Sequence, residues 1–223
     1  MREIISLAPG RICIFGDYHN YLELPVIACA INRNITLNCV QNNIKVFRLN
    51  MVDITQVRII DINEIFSNLE PRDYFAPSLR VLRRHKCIPN VCYNITVNGN
   101  IPINSGASSS FALLLARINF LITPYGVDEP ITPDFIARIG YESEVLENGE
   151  PEGLMDYYSI GIKNIIHINT DEPFSCSVKG NQLNGLITRV SGIPKEAIGL
   201  SGELKTNALI AILMVKKIFH ILN

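Results

Sequence analysis

The sequence has no tryptophan, only four histidines and no excess of charge of either sign. Its 20 Lys and Arg residues balance 21 Asp and Glu residues, and charged residues make up only 18% of the chain. Proteins that bind nucleic acids or anionic membranes carry basic patches, so this balance predicts neither kind of partner. The hydrophobic share of 48% excludes disorder as the main state and predicts a folded core.

Paired cysteines, a signal peptide and long hydrophobic runs are also missing. The six cysteines form no CxxC pair and no Cys/His spacing typical of zinc sites, and the first residues lack the apolar core of a signal peptide. We therefore expect a reduced, cytoplasmic protein. The longest apolar run, the eight residues Ala208–Val215, is far shorter than the roughly 20 residues that a membrane-spanning helix needs.

The hydrophobic pattern divides the chain into a strand-rich first part and a helix-rich second part, which predicts the α+β class. Short β-branched segments predict strands, and apolar residues spaced by three and four predict helices. The predicted strands are Ile4–Leu7, Arg11–Phe15, Val26–Ile31, Ile35–Val40, Val46–Leu49, Val57–Ile62, Cys92–Val97, Ile165–Ile168 and Leu186–Val190. The predicted helices are Asp73–His85, one beginning at Ser108, Pro133 to about Glu147 with Thr132 as its cap, and Leu204–Ile221.

The segment 98–110, NGNIPINSGASSS, carries the strongest functional signal in the chain. A Gly- and Ser-rich loop there leads directly into a helix, where unpaired N–H groups and the positive end of the helix dipole can hold a phosphate. It is not the GxxxxGK[ST] loop, because no lysine follows Gly106. Ser108, Ser109 and Ser110 are also candidates for a purely structural helix cap, so the loop alone leaves both interpretations open.

Two further segments contain residues suited to phosphoryl chemistry. Residues 8–21, APGRICIFGDYHNY, place Arg11 in a strand that ends in a polar turn. Residues 142–156, ESEVLENGEPEGLMD, end a helix on Glu144 and lead through a Gly-containing loop to Asp156. Taken singly, Arg11 could be a structural ion-pair partner, Glu144 an exposed helix charge and Asp156 a helix cap.

The order of the three segments resembles that of the GHMP kinases, the family of galactokinase, homoserine kinase, mevalonate kinase and phosphomevalonate kinase. APGRICIFGDYHNY resembles the galactokinase signature, residues 101–111 resemble the family's phosphate loop, and residues 149–157 resemble the segment that carries the galactokinase catalytic aspartate. The resemblance implies a mixed sheet packed with helices, similar to ribosomal protein S5 domain 2. It also implies ATP and Mg²⁺ as cofactors and a sugar or similar metabolite as the phosphoryl acceptor.

The resemblance also assigns roles to single residues. Asp156 would be the catalytic base and Arg11 its partner, and Glu144 with Ser109 or Ser110 would hold Mg²⁺. The residues implied to bind the nucleotide are Pro102, Ser105, Gly106, Ala107, Ser108, Ser109 and Ser110, and those implied to contact the substrate are Asp17, His19, Asn20 and Tyr21. A carboxylate, a guanidinium and a metal meet the needs of phosphoryl transfer, which depends on positioning and charge neutralisation.

Several positions depart from the family pattern. Asn20 stands where galactokinases have an aspartate, and Asp17 where they have a glutamate, which argues against galactose as the specific acceptor. Glu152, Phe111 and Tyr157 replace smaller or uncharged residues near the phosphate loop, and a carboxylate there would repel ATP. These changes favour an alternative, a nucleotide-binding or interaction module with impaired catalysis.

Length is a further departure, since the family carries a second, C-terminal domain with another glycine-rich motif. We expect residues 1–200 to form the ATP-binding domain and residues 201–223 to begin a truncated second one, because no glycine follows Gly202. The chain would then be a fragment, a decayed gene product, or a protein whose second half is another chain. Apolar surface left open by the missing domain predicts self-association.

Overall fold

The computed structural model describes residues 2–17, 19, 22, 24–67, 75–147, 149, 153–171, 173–189, 191 and 200–219. It confirms the α+β class, with a seven-stranded mixed sheet and five α-helices in this part of the chain. The strands are β1 (Glu3–Phe15), β2 (Val26–Asn42), β3 (Val46–Met51), β4 (Gln56–Asp61), β5 (Cys92–Gly99), β6 (Ile165–Asn169) and β7 (Ser175–Gly180). The helices are α1 (Ala76–Arg84), α2 (Ser109–Tyr125), α3 (Pro133–Tyr141), α4 (Met155–Ile162) and α5 (Leu200–Phe219).

The long strand β2 organises the sheet. Strand β1 pairs with it along one edge, while β5 and β6 pair with separate parts of the other edge, all antiparallel. The order continues outward as β5-β3-β4 on one side and β6-β7 on the other, and β3 with β5 is a parallel pair. The register between β1 and β2 shifts between Pro9 and Arg11, an irregularity that bends the strand where it meets the phosphate-loop segment.

The core lies between one face of the sheet and the helices. Alternate residues of the central strands are buried on that face, as the twofold side-chain period of a strand requires. Helix α2 packs across β1 and β2 and is buried along most of its length, with α1, α3 and α4 beside it. Its rigid attachment to β1 places the start of α2 next to the middle of that strand.

Most predicted elements are present, with three kinds of error. The segments predicted as separate strands on either side of Pro9 and of Arg33 are continuous in β1 and β2. The predicted strand at Leu186–Val190 is wrong, since residues 186–189 have no regular structure and Val190 lies outside the described residues. Strand β7 was not predicted, because its sequence SCSVKG is short and mostly polar. The end of the predicted last helix, residues 220–221, also lies outside the described residues.

Helix α5 differs from the others because no other described element packs extensively against it. Its side chains Leu209, Ile210, Leu213, Met214 and Val215 are all at least 41% exposed. Among the residues that the structure describes, no helix is both long enough and apolar enough to cross a membrane. The helix is therefore an apolar surface element of the described chain.

Candidate active site

The phosphate-loop segment is fastened to the middle of β1. The backbone N–H of Arg11 donates to the carbonyl of Ala107 over 3.2 Å. Just before it, Gly10 approaches the loop so closely that an added Cβ would lie 2.7 Å from the Ala107 oxygen. Only glycine allows this approach, and the contact holds the loop and the strand in one arrangement.

Arg11 and Asp156 form a buried ion pair at this junction. The Nε of Arg11 donates to Oδ1 of Asp156 over 2.6 Å, and its Nη1 donates to the carbonyl of Gly106 over 2.8 Å. The two residues are only 9% and 3% exposed. Burial alone would lower the pKa of Arg11, but the charge and hydrogen bond of Asp156 outweigh it and raise that pKa above its ordinary value. Arg11 is therefore a permanent positive charge that links the loop to Asp156.

Ser108 occupies the position before α2 in an unexpected conformation. Its φ of 58° is left-handed, and its side chain makes no capping hydrogen bond to the helix, so Ser108 is not the structural cap that the sequence left open as an alternative. Its hydroxyl donates instead to Oδ1 of Asp156. The Ser108 side chain accepts no hydrogen bond from the N–H groups of the first turn of α2. These N–H groups are therefore available to an anion.

The other loop residues lie as an exposed turn around this point. Ser105 donates its hydroxyl to the carbonyl of Pro102 over 2.7 Å, which closes the turn. Gly106 is exposed, and Ala107, Ser109 and Ser110 are partly buried where the loop enters α2. The predicted nucleotide-binding residues thus form one continuous segment between β5 and α2.

Glu144 is buried by a local change of helix geometry. After Tyr141 the chain continues as a π-helical turn, residues 142–146, and Glu144 within it is only 5% exposed. Such turns often occur at functional sites, because they rotate one side chain out of the regular helical order. The hydroxyl of Tyr157 lies 3.4 Å from Oε2 of Glu144. Glu144 is therefore buried, and it is not the exposed helix charge that the sequence left open as its non-functional interpretation.

The aromatic departures from the family pattern pack against one another. The ring of Phe111 meets that of Tyr157 edge to face, with centroids 5.2 Å apart, and Tyr141 contacts Tyr157 at 5.8 Å. Phe111 and Tyr157 are 8% and 0% exposed, so both rings belong to the core beneath the loop. The bulk of Phe111 is thus accommodated by the core, and the cluster brings the Tyr157 hydroxyl to Glu144.

The residues predicted to contact substrate are only partly described. Asp17 is exposed at the end of β1, and Nδ1 of His19 lies 3.3 Å from the Pro25 carbonyl. Asn20 and Tyr21, together with Glu152, lie outside the described residues. The structure therefore brings Arg11, Asp156 and the loop together but gives no geometry for a complete acceptor site.

Two features of this site were invisible in the sequence. Nothing in the letters SGASSS distinguishes a left-handed Ser108 from a helix cap, because left-handed serines are uncommon. The π-helical turn around Glu144 likewise follows an ordinary helical pattern. Both features arise from packing against distant parts of the chain.

Part of the chain that forms this mixed sheet and its buried carboxylate matches a known family. Residues 73–163 match the family model described as "GHMP kinases N terminal domain". Residues 73–163 are therefore similar to the N-terminal domain of the GHMP kinases.

Individual relatives come from two branches of that family. The chain is 29% identical over 162 residues to the galactokinase of Lacticaseibacillus casei strain BL23, covering 71% of this chain and 41% of that enzyme. It is 23% identical over 161 residues to the mevalonate kinase of Pyrococcus furiosus, covering 68% and 48%. The chain thus spans less than half the length of these curated relatives.

Solved structures show the same fold. The crystal structure of Lactococcus lactis galactokinase complexed with galactose superposes on all of this chain and on 58% of its own, with a TM-score of 0.77. The two sequences are 16% identical, so this likeness concerns the fold. The mixed sheet and helices implied by the family resemblance are confirmed.

Proposed function

We propose that the chain is the ATP-binding part of a small-molecule kinase that transfers the γ-phosphoryl group of ATP to a hydroxyl of a sugar. The observation that carries the proposal is the buried Asp156, fixed through Oδ1 by Arg11 and Ser108 at the beginning of α2. A carboxylate held at the edge of an anion-binding helix start is suited to accept a proton from a hydroxyl that attacks phosphorus.

The two oxygens of Asp156 have different surroundings. Within the described part of the chain, both donors reach Oδ1, and Oδ2 accepts no hydrogen bond. An acceptor hydroxyl bound on the Oδ2 side would donate to it. As the hydroxyl oxygen bonds to the γ-phosphorus, the bond from that phosphorus to the β,γ-bridging oxygen breaks, ADP leaves and the hydroxyl proton passes to Oδ2. Arg11 holds Asp156 in place for this step through its hydrogen bond to Oδ1 and offsets the negative charge that gathers near Gly106.

The polar groups around the loop also suit Mg²⁺, which prefers carboxylate and other oxygen ligands. Glu144 supplies a buried carboxylate, and Ser109 and Ser110 supply hydroxyls in the first turn of α2. When bound, the ion would neutralise charge on the phosphates. We assign these three residues to the metal, and the segment from Pro102 to Ala107 with Ser109 and Ser110 to the nucleotide.

A sugar is the acceptor class that the relatives support, since a galactokinase is among the curated proteins that this chain resembles. Asp17 and His19, with Asn20 and Tyr21, would contact it.

One contact favours the alternative of a nucleotide-binding module without phosphoryl transfer. The Tyr157 hydroxyl approaches the same Glu144 carboxylate that the metal needs, and it would compete with the ion.

Titration of the folded chain with Mg·ATP by calorimetry tests the nucleotide site. We expect binding that weakens about tenfold or more when Ser109 and Ser110 are both replaced by alanine, because hydrogen bonds to charged groups are lost. Thr123→Ala is the matched control, since Thr123 lies at the far end of α2 and donates to Asn119. The absence of heat at millimolar Mg·ATP would contradict a nucleotide site.

We further infer that the isolated chain self-associates through α5, where Leu209, Leu213 and their neighbours are exposed. Burying a side chain of this size contributes about 1.5 to 3 kcal/mol, so a few of them favour a dimer of two such helices. Light scattering over a concentration series is expected to show mass rising above 24.9 kDa. Replacing Leu209 and Leu213 with glutamate should restore the monomer. A monomeric wild-type chain at high micromolar concentration would contradict the inference.

A further inference from the structure

Ser108 differs from Ser105, another serine of the loop, in the group that accepts the hydrogen bond of its hydroxyl. Ser105 bonds within its own turn, to Pro102, whereas Ser108 reaches across 48 sequence positions to Asp156. It uses the same Oδ1 atom that accepts from Nε of Arg11. The carboxylate thus receives one donor from β1 and one from the phosphate loop.

The backbone conformation of Ser108 is consistent with its contact to Asp156 and is not that of a helix-capping serine. A serine before a helix ordinarily has extended backbone angles and accepts a hydrogen bond from the first turn. Ser108 is left-handed, with φ 58° and ψ 48°, and makes no capping bond. Non-glycine residues in this conformation are uncommon and persist where surrounding contacts hold them, often at functional sites. Here those contacts include Asp156 and, through the Ala107 carbonyl, Arg11.

We propose that Ser108 is a positioning residue for Asp156 rather than a phosphate ligand. Its hydroxyl and the Nε of Arg11 both donate to Oδ1, which leaves Oδ2 to accept the proton of an acceptor hydroxyl. This inference rests on the proposed function, since it concerns the base of that reaction. It reassigns Ser108 from the nucleotide-binding set that the family resemblance implied.

The arrangement also links the loop to the base. Arg11 holds the Gly106 carbonyl and Asp156, and Ser108 returns from the loop to Asp156, which closes a ring of contacts. A displacement of the loop on nucleotide binding would therefore move the carboxylate as well.

Three variants test the proposal in the intact chain. Ser108→Ala removes the hydroxyl, Ser108→Gly removes it and also frees the left-handed backbone, and Thr123→Ala removes a hydroxyl remote from the site. We expect both Ser108 variants to lower kcat about 10- to 100-fold, as small misplacements of a reacting group do. Their affinity for Mg·ATP should equal that of the wild type and of Thr123→Ala. A Ser108→Gly variant with wild-type kcat would overturn the proposal, as would a loss of Mg·ATP affinity of about tenfold or more.

A second measurement does not depend on activity. Urea midpoints are compared for the wild type, Ser108→Ala, Asp156→Asn and the double variant. Because the hydroxyl bonds to a charged oxygen, the midpoint shift caused by Ser108→Ala should be smaller in the Asp156→Asn background. Equal shifts in both backgrounds would refute the contact. If the wild type transfers no phosphoryl group, the proposed function fails, and this cycle still decides whether Ser108 holds Asp156.

Discussion

Replacing Asp156 with asparagine is expected to lower the rate of phosphoryl transfer by about 10²- to 10⁴-fold, the usual contribution of a general base. The substitution keeps the size of the side chain and an acceptor oxygen for Arg11 and Ser108, while it removes the basic group. The expected loss appears in the initial rate of ADP release in the presence of a sugar. Binding of Mg·ATP should remain, because Asp156 does not belong to the phosphate loop.

Asp134→Asn is the matched control for this variant. Asp134 is also a helix first-turn carboxylate and accepts a hydrogen bond from the hydroxyl of Tyr158 over 2.9 Å, which asparagine can retain. We expect its transfer rate to equal that of the wild type. Equal rates for Asp156→Asn and the wild type would remove Asp156 from the role of base.

Replacing Arg11 with methionine is expected to destabilise the fold by about 3 to 5 kcal/mol, because it leaves the buried Asp156 charge without its partner. The same change removes the hydrogen bond from Nη1 of Arg11 to the Gly106 carbonyl and so loosens the loop. Urea denaturation measures the free energy of unfolding, provided that the transition is two-state. Adding Asp156→Asn to this variant should recover part of the loss, since the unpaired charge is then gone.

Arg84→Met provides the comparison, because Arg84 also pairs with a carboxylate, that of Glu147. The Arg84 side chain is 52% exposed, against 11% for Arg11, and exposed pairs of this kind contribute at most about 1 kcal/mol. Losses of the same size for the two arginine variants would show that the Arg11–Asp156 pair is not a buried structural link.

The parts of the fold that depend on local pattern could be predicted from the sequence. Helix α2 is signalled by apolar residues at three- and four-residue spacing, and α3 by Thr132, whose hydroxyl caps it over 3.0 Å as expected. Strand β7 and the unstructured residues 186–189 show the limit of this reasoning. The polar β7 forms because β6 offers it an edge to pair with, whereas residues 186–189 pair with no strand of the described chain and stay irregular.

The site could be predicted as a set of residues but not as an arrangement. Arg11 and Asp156 are identified by family resemblance, yet they lie 145 positions apart, and their contact requires the β1 irregularity near Pro9 and the start of α4. The left-handed Ser108 and the π-helical turn around Glu144 depend on tertiary packing. Local sequence does not encode them, because a serine before a helix and a glutamate within one fit regular geometry equally well.

The central claim is that this site transfers a phosphoryl group from ATP to a sugar hydroxyl with Asp156 as the base. The most direct test incubates the folded wild-type chain and Asp156→Asn with Mg·ATP labelled in the γ-phosphoryl group and a panel of hexoses. We expect a labelled sugar phosphate from the wild type and at least about 10²-fold less of it from the variant. A wild-type chain that binds Mg·ATP but labels no sugar above the level of Asp156→Asn would contradict it.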